Sequence, residues 1–290
     1  MADQDSLKID GPARVRSVFH PSDFSEASEI AFAHALKIAL LRQANLDIMH
    51  VASDATAEWP DLAGVRPMLE RWGLLPPGSR RTDVAALGIH VRKVMALHRD
   101  PVRAVLGYLD SHPTDLIVLA TRQQEGRMRW MQTSVAQPIV QGAGEMTLFI
   151  PHGRQGFVSS QDGSISLSSI LVPIAKEPPG QPALEAVRRV ASELHLTGGT
   201  VTLLHVGDSG DLPMVAIPHE SGWTWTSIIR AGDVVEAIVQ AAEETKAGLV
   251  VMSTNGRNGF LDALRGSHSE RVLSKIRCPL LNLPVGSLLG

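Results

Sequence analysis

The chain has 290 residues, long enough for about two domains of ordinary size. Apolar residues make up 44% and charged residues 20%, which supports a packed core and excludes wholesale disorder. A net charge of −3 with no basic block gives no footprint for nucleic acid or an anionic membrane, and the single cysteine, Cys278, excludes an internal disulfide and a cysteine-based zinc framework.

The opening stretch MADQDSLKIDGPARVRS is polar and lacks the apolar segment of a signal peptide. No apolar run nears the roughly 18 residues of a membrane-spanning helix. A soluble, cytoplasmic protein is the expectation. Next comes VRSVFHPSDFSEASEIAFAHALKIALLRQANLDIMHV, which predicts a strand, a turn at Pro21, a helix and a second strand ending His50-Val51. Ala27, Ile30, Ala31, His34, Leu36, Ile38 and Leu41 recur near a 3.6-residue period, and Ser22, Asp23 or Ser25 can cap the helix. The stretch 53–81 is rich in Pro, Gly and Trp and reads as a surface excursion. TDLIVLAT (114–121) and TLFIPHG (147–153) read as buried strands. The polar, Gly/Ser-rich segment from His152 to Ser166 reads as a connector.

The second half writes the same unit again. LSSILVPIAKEPPGQPALEAVRRVASELHLTGGTVTLLHV repeats strand, proline (Pro173), helix and a strand ending His205-Val206. AGLVVMST (247–254) echoes TDLIVLAT, Ser267 echoes Ser134, and LLNLPVG (280–286) echoes TLFIPHG, all at one offset of 133 residues. Pro21 and Pro173 are 152 apart, so the first unit carries 19 more residues between those landmarks. Strands alternating with helices predict α/β architecture with parallel sheets and right-handed crossovers. The boundaries are a first domain at 1–153, a linker at 154–166 and a second domain at 167–290.

The order strand–HPSDFSEAS–helix–LDIMHV…TDLIVLAT, with its echo ILVP…VTLLHV…AGLVVMSTNGRNGFLDALRGSHSERVLSKIRCPLLNLPV, resembles the universal stress protein family over nearly the whole chain. The resemblance implies two tandem open parallel-sheet domains, Rossmann-like and similar to adenine nucleotide alpha hydrolases. It also implies that they form a pseudo-dimer joined through their last strands, Thr147–Ile150 and Leu280–Leu283. Binding of ATP or another adenine nucleotide is implied too, with Mg possible alongside it. The family's phosphate loop is G-x-x-G, nine residues, then G-[ST]. Glycines let backbone N–H groups approach phosphates, and the closing Gly-Ser opens a helix whose N-terminus favours anions. No Gly-Lys-Ser/Thr occurs, so a P-loop is excluded.

In the second unit the family's loop maps onto Ser253, Asn255, Gly256, Arg257, Gly259, Gly266, Ser267, His268 and Ser269, with Ser253 replacing the first glycine. In the first unit Ala120, Gln123 and Thr133 take the glycine positions and only Ser134 remains. The adenine side shows the reverse. The resemblance places an Asp two residues after the strand-ending proline. Asp23 stands there after Pro21, but Ala175 follows Pro173 and Ile174. A missing hydrogen bond of this kind costs about 0.5–1.5 kcal/mol. The expected second-unit site is therefore the loop with Pro173, Ile174, Ala175 and Val206. Pro21, Asp23, Val51 and Ser134 mark a vestigial first-unit site.

Plainer alternatives stand beside these assignments. The glycines can mark only a turn and a helix start, and Asp23 can serve only as a helix cap. His20, His50 and His205 end strands without metal-ligand spacing and read as satisfied core histidines. Cys278 reads as a buried, inert thiol. Trp59, Trp72, Trp223 and Trp225 read as packing residues beside the inserts. Arg257 and Arg265 can meet phosphate or water. No G-x-S-x-G, H-E-x-x-H or G-x-G-x-x-G is present, so no catalytic set emerges. Regulation through nucleotide binding is the leading expectation, with homo-oligomers or an unidentified protein as partners and no nucleic acid or membrane. A pseudo-dimer with both sites decayed, working as an interaction protein, is the first alternative. A slow ATPase or an autokinase using Ser267 or Ser269 is the second.

Overall fold

The computed structural model describes residues 15–23, 25–52, 64–121, 123–124, 127–128, 145–154, 156–219, 221–255 and 268–285. The first half runs β1 (Ser17–Pro21), α1 (Glu26–Arg42), β2 (Asn45–Ala52), α2 (Val65–Arg71), α3 (Arg81–Ala86), β3 (His90–Leu97), α4 (Pro101–Ser111) and β4 (Leu116–Thr121). It ends with the short strands β5 (Gln123–Gln124) and β6 (Arg127–Met128), then β7 (Met146–Pro151). The second half runs β8 (Ser169–Pro173), α5 (Gln181–Glu193), β9 (Gly199–Val206), β10 (Trp223–Arg230), α6 (Val234–Glu244), β11 (Leu249–Asn255), α7 (His268–Lys275) and β12 (Leu280–Val285).

One ten-stranded sheet carries both halves in the order β10-β9-β8-β11-β12-β7-β4-β1-β2-β3. Within each half the neighbours are parallel, which the helical crossovers require. The seam alone is antiparallel, with Leu280 opposite Phe149, Leu281 opposite Leu148 and Asn282 opposite Thr147. Leu148 and Leu281 are repeat equivalents, 133 residues apart. A residue facing its own equivalent is what a two-fold axis demands. The last strands therefore join the halves as expected, and the chain is an intramolecular pseudo-dimer.

Two apolar layers flank the sheet, and each spans both halves. One lies under α1 and α5 and includes Leu148 and Leu281; the other lies under α6 and α7 and includes Phe149 and Leu280. Small residues let α1 sit close to the sheet, since Ala31, Ala33, Ala35 and Ala39 are all fully buried. Ser25 caps this helix by accepting from Ser28 N–H at 3.3 Å, and Gln43 closes it in the left-handed region at φ 51. His195 repeats that ending after α5 at φ 53.

Two expectations about connectors need correction. The stretch 53–81 is not a bare surface excursion in its described part, because Val65, Met68, Leu69 and Trp72 of the α2 region are buried against the α1 layer. The polar connector is likewise packed: Phe157 and Val158 are buried, and Val158 bridges Ile165. Both segments lie over α1. His34 Nε2 accepts from the N–H groups of Phe157 (3.0 Å) and Val158 (3.1 Å), and Trp72 Nε1–H donates to Ser160 O at 3.2 Å. A helix covered on both sides by protein needs apolar residues nearly all round, which explains its run of buried positions from Ala31 to Leu36.

Candidate functional site

In an open α/β sheet the crevice lies beyond the C-terminal strand ends, where the strand order reverses. In the second half this point falls between β8 and β11. These strands pair only at Leu249–Ile170 and Val250–Leu171. Past Leu171 and Val250 the ladder lapses, so the ends carrying Pro173 and Ser253 flank a crest gap. The first half repeats the divergence, with β1 and β4 paired only at Val18–Leu116 and Phe19–Ile117.

The two gaps are filled differently. In the first half His20 is fully buried; its Nδ1–H donates to Val118 O at 2.9 Å, and Ser28 Oγ lies 3.4 Å from its Nε2. Ser22 Oγ extends the chain to Ser28 Oγ at 3.0 Å. Burial pushes the His20 imidazole down to about 4, so it is held neutral. At the repeat offset of 152 the second half has Val172, Ile174 and Gly180 instead of His20, Ser22 and Ser28. A polar plug stitches β1, α1 and β4 together, whereas the second crevice has apolar walls.

Beside that crevice Ser253 is 9% exposed, and its Oγ is buried without a hydrogen-bond partner among the described residues. A native hydroxyl in that state wants an explanation. Its neighbour Thr254 donates from Oγ1 to Leu283 O at 3.4 Å, as Thr121 does to Ile150 O at 3.4 Å in the first half. The strand-end histidines serve the crest loops: His50 Nδ1–H donates to Ser22 O at 2.8 Å and His205 Nδ1–H to Ile174 O at 3.4 Å. This gives the repeated His-Val pair a physical role. His205 is only half satisfied, which corrects its reading as a satisfied core histidine, because its buried Nε2 has no partner among the described residues. Gly207 keeps the chain close to that nitrogen, since a Cβ there would lie 3.1 Å from it.

Of the residues expected to hold adenine, Pro173 is half-buried, Ile174 is buried with its N–H donating to Leu204 O at 2.8 Å, Ala175 is exposed and Val206 is half-buried. In the first half Pro21 and Val51 occupy the equivalent places. Asp23 is exposed and accepts from Ser25 N–H (3.0 Å) and Ser25 Oγ–H (2.5 Å). It braces the capping residue rather than being the N-cap itself. Of the loop, Gly256, Arg257, Gly259, Arg265, Gly266 and Ser267 lie outside the described residues, as do Ser134 and Trp59. Asn255 ends β11, while His268 and Ser269 open α7. In the first half the chain after β4 turns back as an antiparallel pair of β5 and β6.

Sequence reasoning did not find what seats α7. Arg271 reaches across 38 positions and donates through both terminal nitrogens to Asp233 Oδ2, each at 3.2 Å. Asp233 is also the N-cap of α6, accepting from Val235 and Glu236 N–H. Lys275 pairs with Glu236, and Arg277 lies 4.0 Å from Glu243. An acidic α6 and a basic α7 thus register the start of α7 beside the crest. At the repeat offset of 133 the first half has Pro138 and Gly142 where Arg271 and Lys275 stand, so it cannot build this clamp. The signal was available as complementary charge on two neighbouring helices.

Trp72 is packed, and Trp223 and Trp225 lie in edge strand β10 against the α1/α5 layer rather than in an insert. Burial pushes the Cys278 thiol up to about 12, so it stays an unreactive thiol. Among the described residues no group of three His, Cys, Asp or Glu is arranged for a metal, and no helix is long and apolar enough to cross a membrane.

The profile described as the universal stress protein family matches residues 15–151 and 220–284. The chain belongs to the universal stress protein family. A universal stress protein E homolog of Haemophilus influenzae is 42% identical over 55 residues, covering 19% of this chain and 18% of that protein. A universal stress protein of Methanocaldococcus jannaschii is 48% identical over 44 residues, covering 15% of this chain and 26% of that protein. These matches span well under half of either relative's own length. A universal stress protein structure from Archaeoglobus fulgidus superposes at TM-score 0.61 with 18% identity over 94% of this chain and 100% of that one, which shows a shared fold.

Proposed function

We propose that this tandem universal stress protein binds ATP or another adenine nucleotide at the crest of its second half, and that occupancy regulates a surface read by a protein partner. The observation that carries this reading is the buried Ser253 hydroxyl, without a partner among the described residues, near the end of β11 where the loop toward α7 begins. A phosphate oxygen would accept from that hydroxyl. The first N–H groups of α7 and the loop through Gly256, Gly259, Gly266 and Ser267 would hold the remaining charge. Pro173, Ile174, Ala175 and Val206 would border the adenine, with Mg accompanying the phosphates. The first half, with its polar plug and its Ala120 in the Ser253 position, would serve the pseudo-dimer instead.

Calorimetric titration of the full chain with ATP, AMP and cyclic AMP tests this, with one site per chain expected. Gly266→Val should abolish binding. Ser253→Ala should weaken ATP binding while leaving the nucleotide-free protein as stable as before, since no hydrogen bond among the described residues is lost. Ala175→Asp should tighten binding by up to about tenfold. Absence of heat with every nucleotide would instead favour the interaction protein with decayed sites. Phosphoserine at Ser267 or Ser269 after incubation with ATP would make it an autokinase.

A further inference from the structure

The sheet ends in two outer strands, β3 and β10, and no strand among the described residues pairs with the outer edge of either. They hold equivalent places in the repeat, since β3 sets Met95 beside His50 and β10 sets Ile229 beside His205. An open edge is a template for another strand, and proteins commonly guard it with charge. β3 carries Arg92 and Lys93 at its middle. The equivalent residues of β10 are Thr226 and Ser227, and the run 223–229 carries no charge at all. Apolar surface lies beside this unguarded edge. The connection from β9 to β10 is clasped to α5, where the Gln181 side chain accepts from Ala216 N–H at 2.8 Å and donates to Ala216 O at 3.1 Å. That connection presents Met214, fully exposed, and Ile217, about half exposed, and Ile229 of β10 is about half exposed as well.

Backbone polarity fixes how a mate can join. Gly222 O and Arg230 O turn inward, accepting from Gly199 N–H at 3.0 Å and Gly207 N–H at 2.8 Å. By alternation Trp223, Trp225, Ser227 and Ile229 turn their N–H and C=O groups outward. A two-fold axis normal to the sheet opposes residues of one face, as at the β7–β12 seam. Centred on Thr226, such an axis would set Trp223 opposite Ile229 and Trp225 opposite Ser227, each pair exchanging both backbone bonds. Thr224 would face Ile228, and Thr226 its own copy. Aromatic–β-branched and Thr–Thr pairs are favourable across antiparallel strands. Arg230 would face Gly222, and it is already paired with Glu244. The same operation on β3 would set Arg92 against its own copy, like charges directly opposite.

We infer that β10 docks a second copy of this chain, whose own β10 adds antiparallel and continues the sheet from one molecule into the next. The charges on β3 stop the association at a dimer, because the remaining outer edges repel each other. This edge is separate from the nucleotide crest, and the dimer stands whether or not that crest binds ATP.

Sedimentation velocity of the full chain over a concentration series tests this, with a monomer–dimer equilibrium expected. Thr226→Lys combined with Ser227→Lys, which carries the β3 guard to β10, should weaken the dimer at least about tenfold. Both positions are exposed, so the circular dichroism of the monomer should not change. Hydrogen exchange at dimer-forming concentrations should slow at the N–H groups of Trp225, Ser227 and Ile229, and not along the outer edge of β3. If the lysine variant fails to fold, this exchange pattern decides alone. A wild-type chain that stays monomeric up to about 100 µM would overturn the proposal. Fast exchange at the β10 edge of that monomer would leave the edge to a strand of another protein, and slow exchange would assign it to a segment of this chain. A dimer indifferent to the lysine pair, or protected along β3 in place of β10, would overturn it too.

Discussion

Replacing His34 by alanine should unfasten the connector between the two halves. The imidazole donates from Nδ1–H to Ile30 O at 2.8 Å and accepts at Nε2 from two backbone N–H groups 123 and 124 positions away. Its ring also meets Phe157 edge-on, with centroids 4.6 Å apart. Alanine would leave two buried amides without an acceptor, at about 1–3 kcal/mol each, and remove an aromatic contact of about 0.5–1.5 kcal/mol. The expected loss is therefore about 2.5–7.5 kcal/mol in urea unfolding. Hydrogen exchange should localise it as lost protection at Phe157 and Val158. The same residue makes an acid prediction. Burial holds His34 down at about 4 in the folded chain, from an ordinary value of 6.5. The unfolded chain therefore takes up the proton first as pH falls. His34's contribution is intact above pH 6.5 and drains away down to about pH 4, in total about 3 kcal/mol. His20, also held at about 4, adds a loss of similar size in the same window. The His34→Ala variant should start less stable and then lose about half as much between pH 6.5 and 4. A variant with the wild-type pH slope, or with unchanged exchange at Phe157 and Val158, would refute the reasoning.

Other parts of the fold can be tested as directly. Leu281→Ala, at the centre of the seam and 4% exposed, should cost about 2–5 kcal/mol in urea unfolding. Gly163→Ala should destabilise by about 2–4 kcal/mol in thermal melts followed by tryptophan emission. There the backbone sits at φ +69, and a Cβ would come within 2.6 Å of the Trp72 ring. Arg271→Ala removes a half-exposed ion pair, so the melting temperature should barely move. Amide exchange in α7 should nonetheless accelerate, because the fork to Asp233 registers that helix.

What the chain settled by itself is what neighbours in sequence can encode. Apolar strings of one length at one offset of 133 residues announce two copies of one unit, since each copy repeats the same local strand and helix preferences. The seam came with the resemblance to the universal stress protein family, which implies joining through the last strands, Thr147–Ile150 and Leu280–Leu283, and the structure pairs them. The same resemblance sets Ala120 and Gln123 of the first unit at positions where the family's loop has glycine. Contacts that join distant positions were not legible. His34 carries one helical periodicity mark, and nothing local says that its second nitrogen meets Phe157 and Val158. The Pro- and Gly-rich stretch around Trp72 looks like exposed loop until the polar connector is laid across it. Arg189 of α5 and Lys37 of α1 hold equivalent positions in the repeat, and packing alone tells them apart, with Lys37 Nζ placed 5.7 Å from the Trp72 ring centroid. Hydrophobic period declares which face is buried; only the tertiary structure decides what that face is buried against.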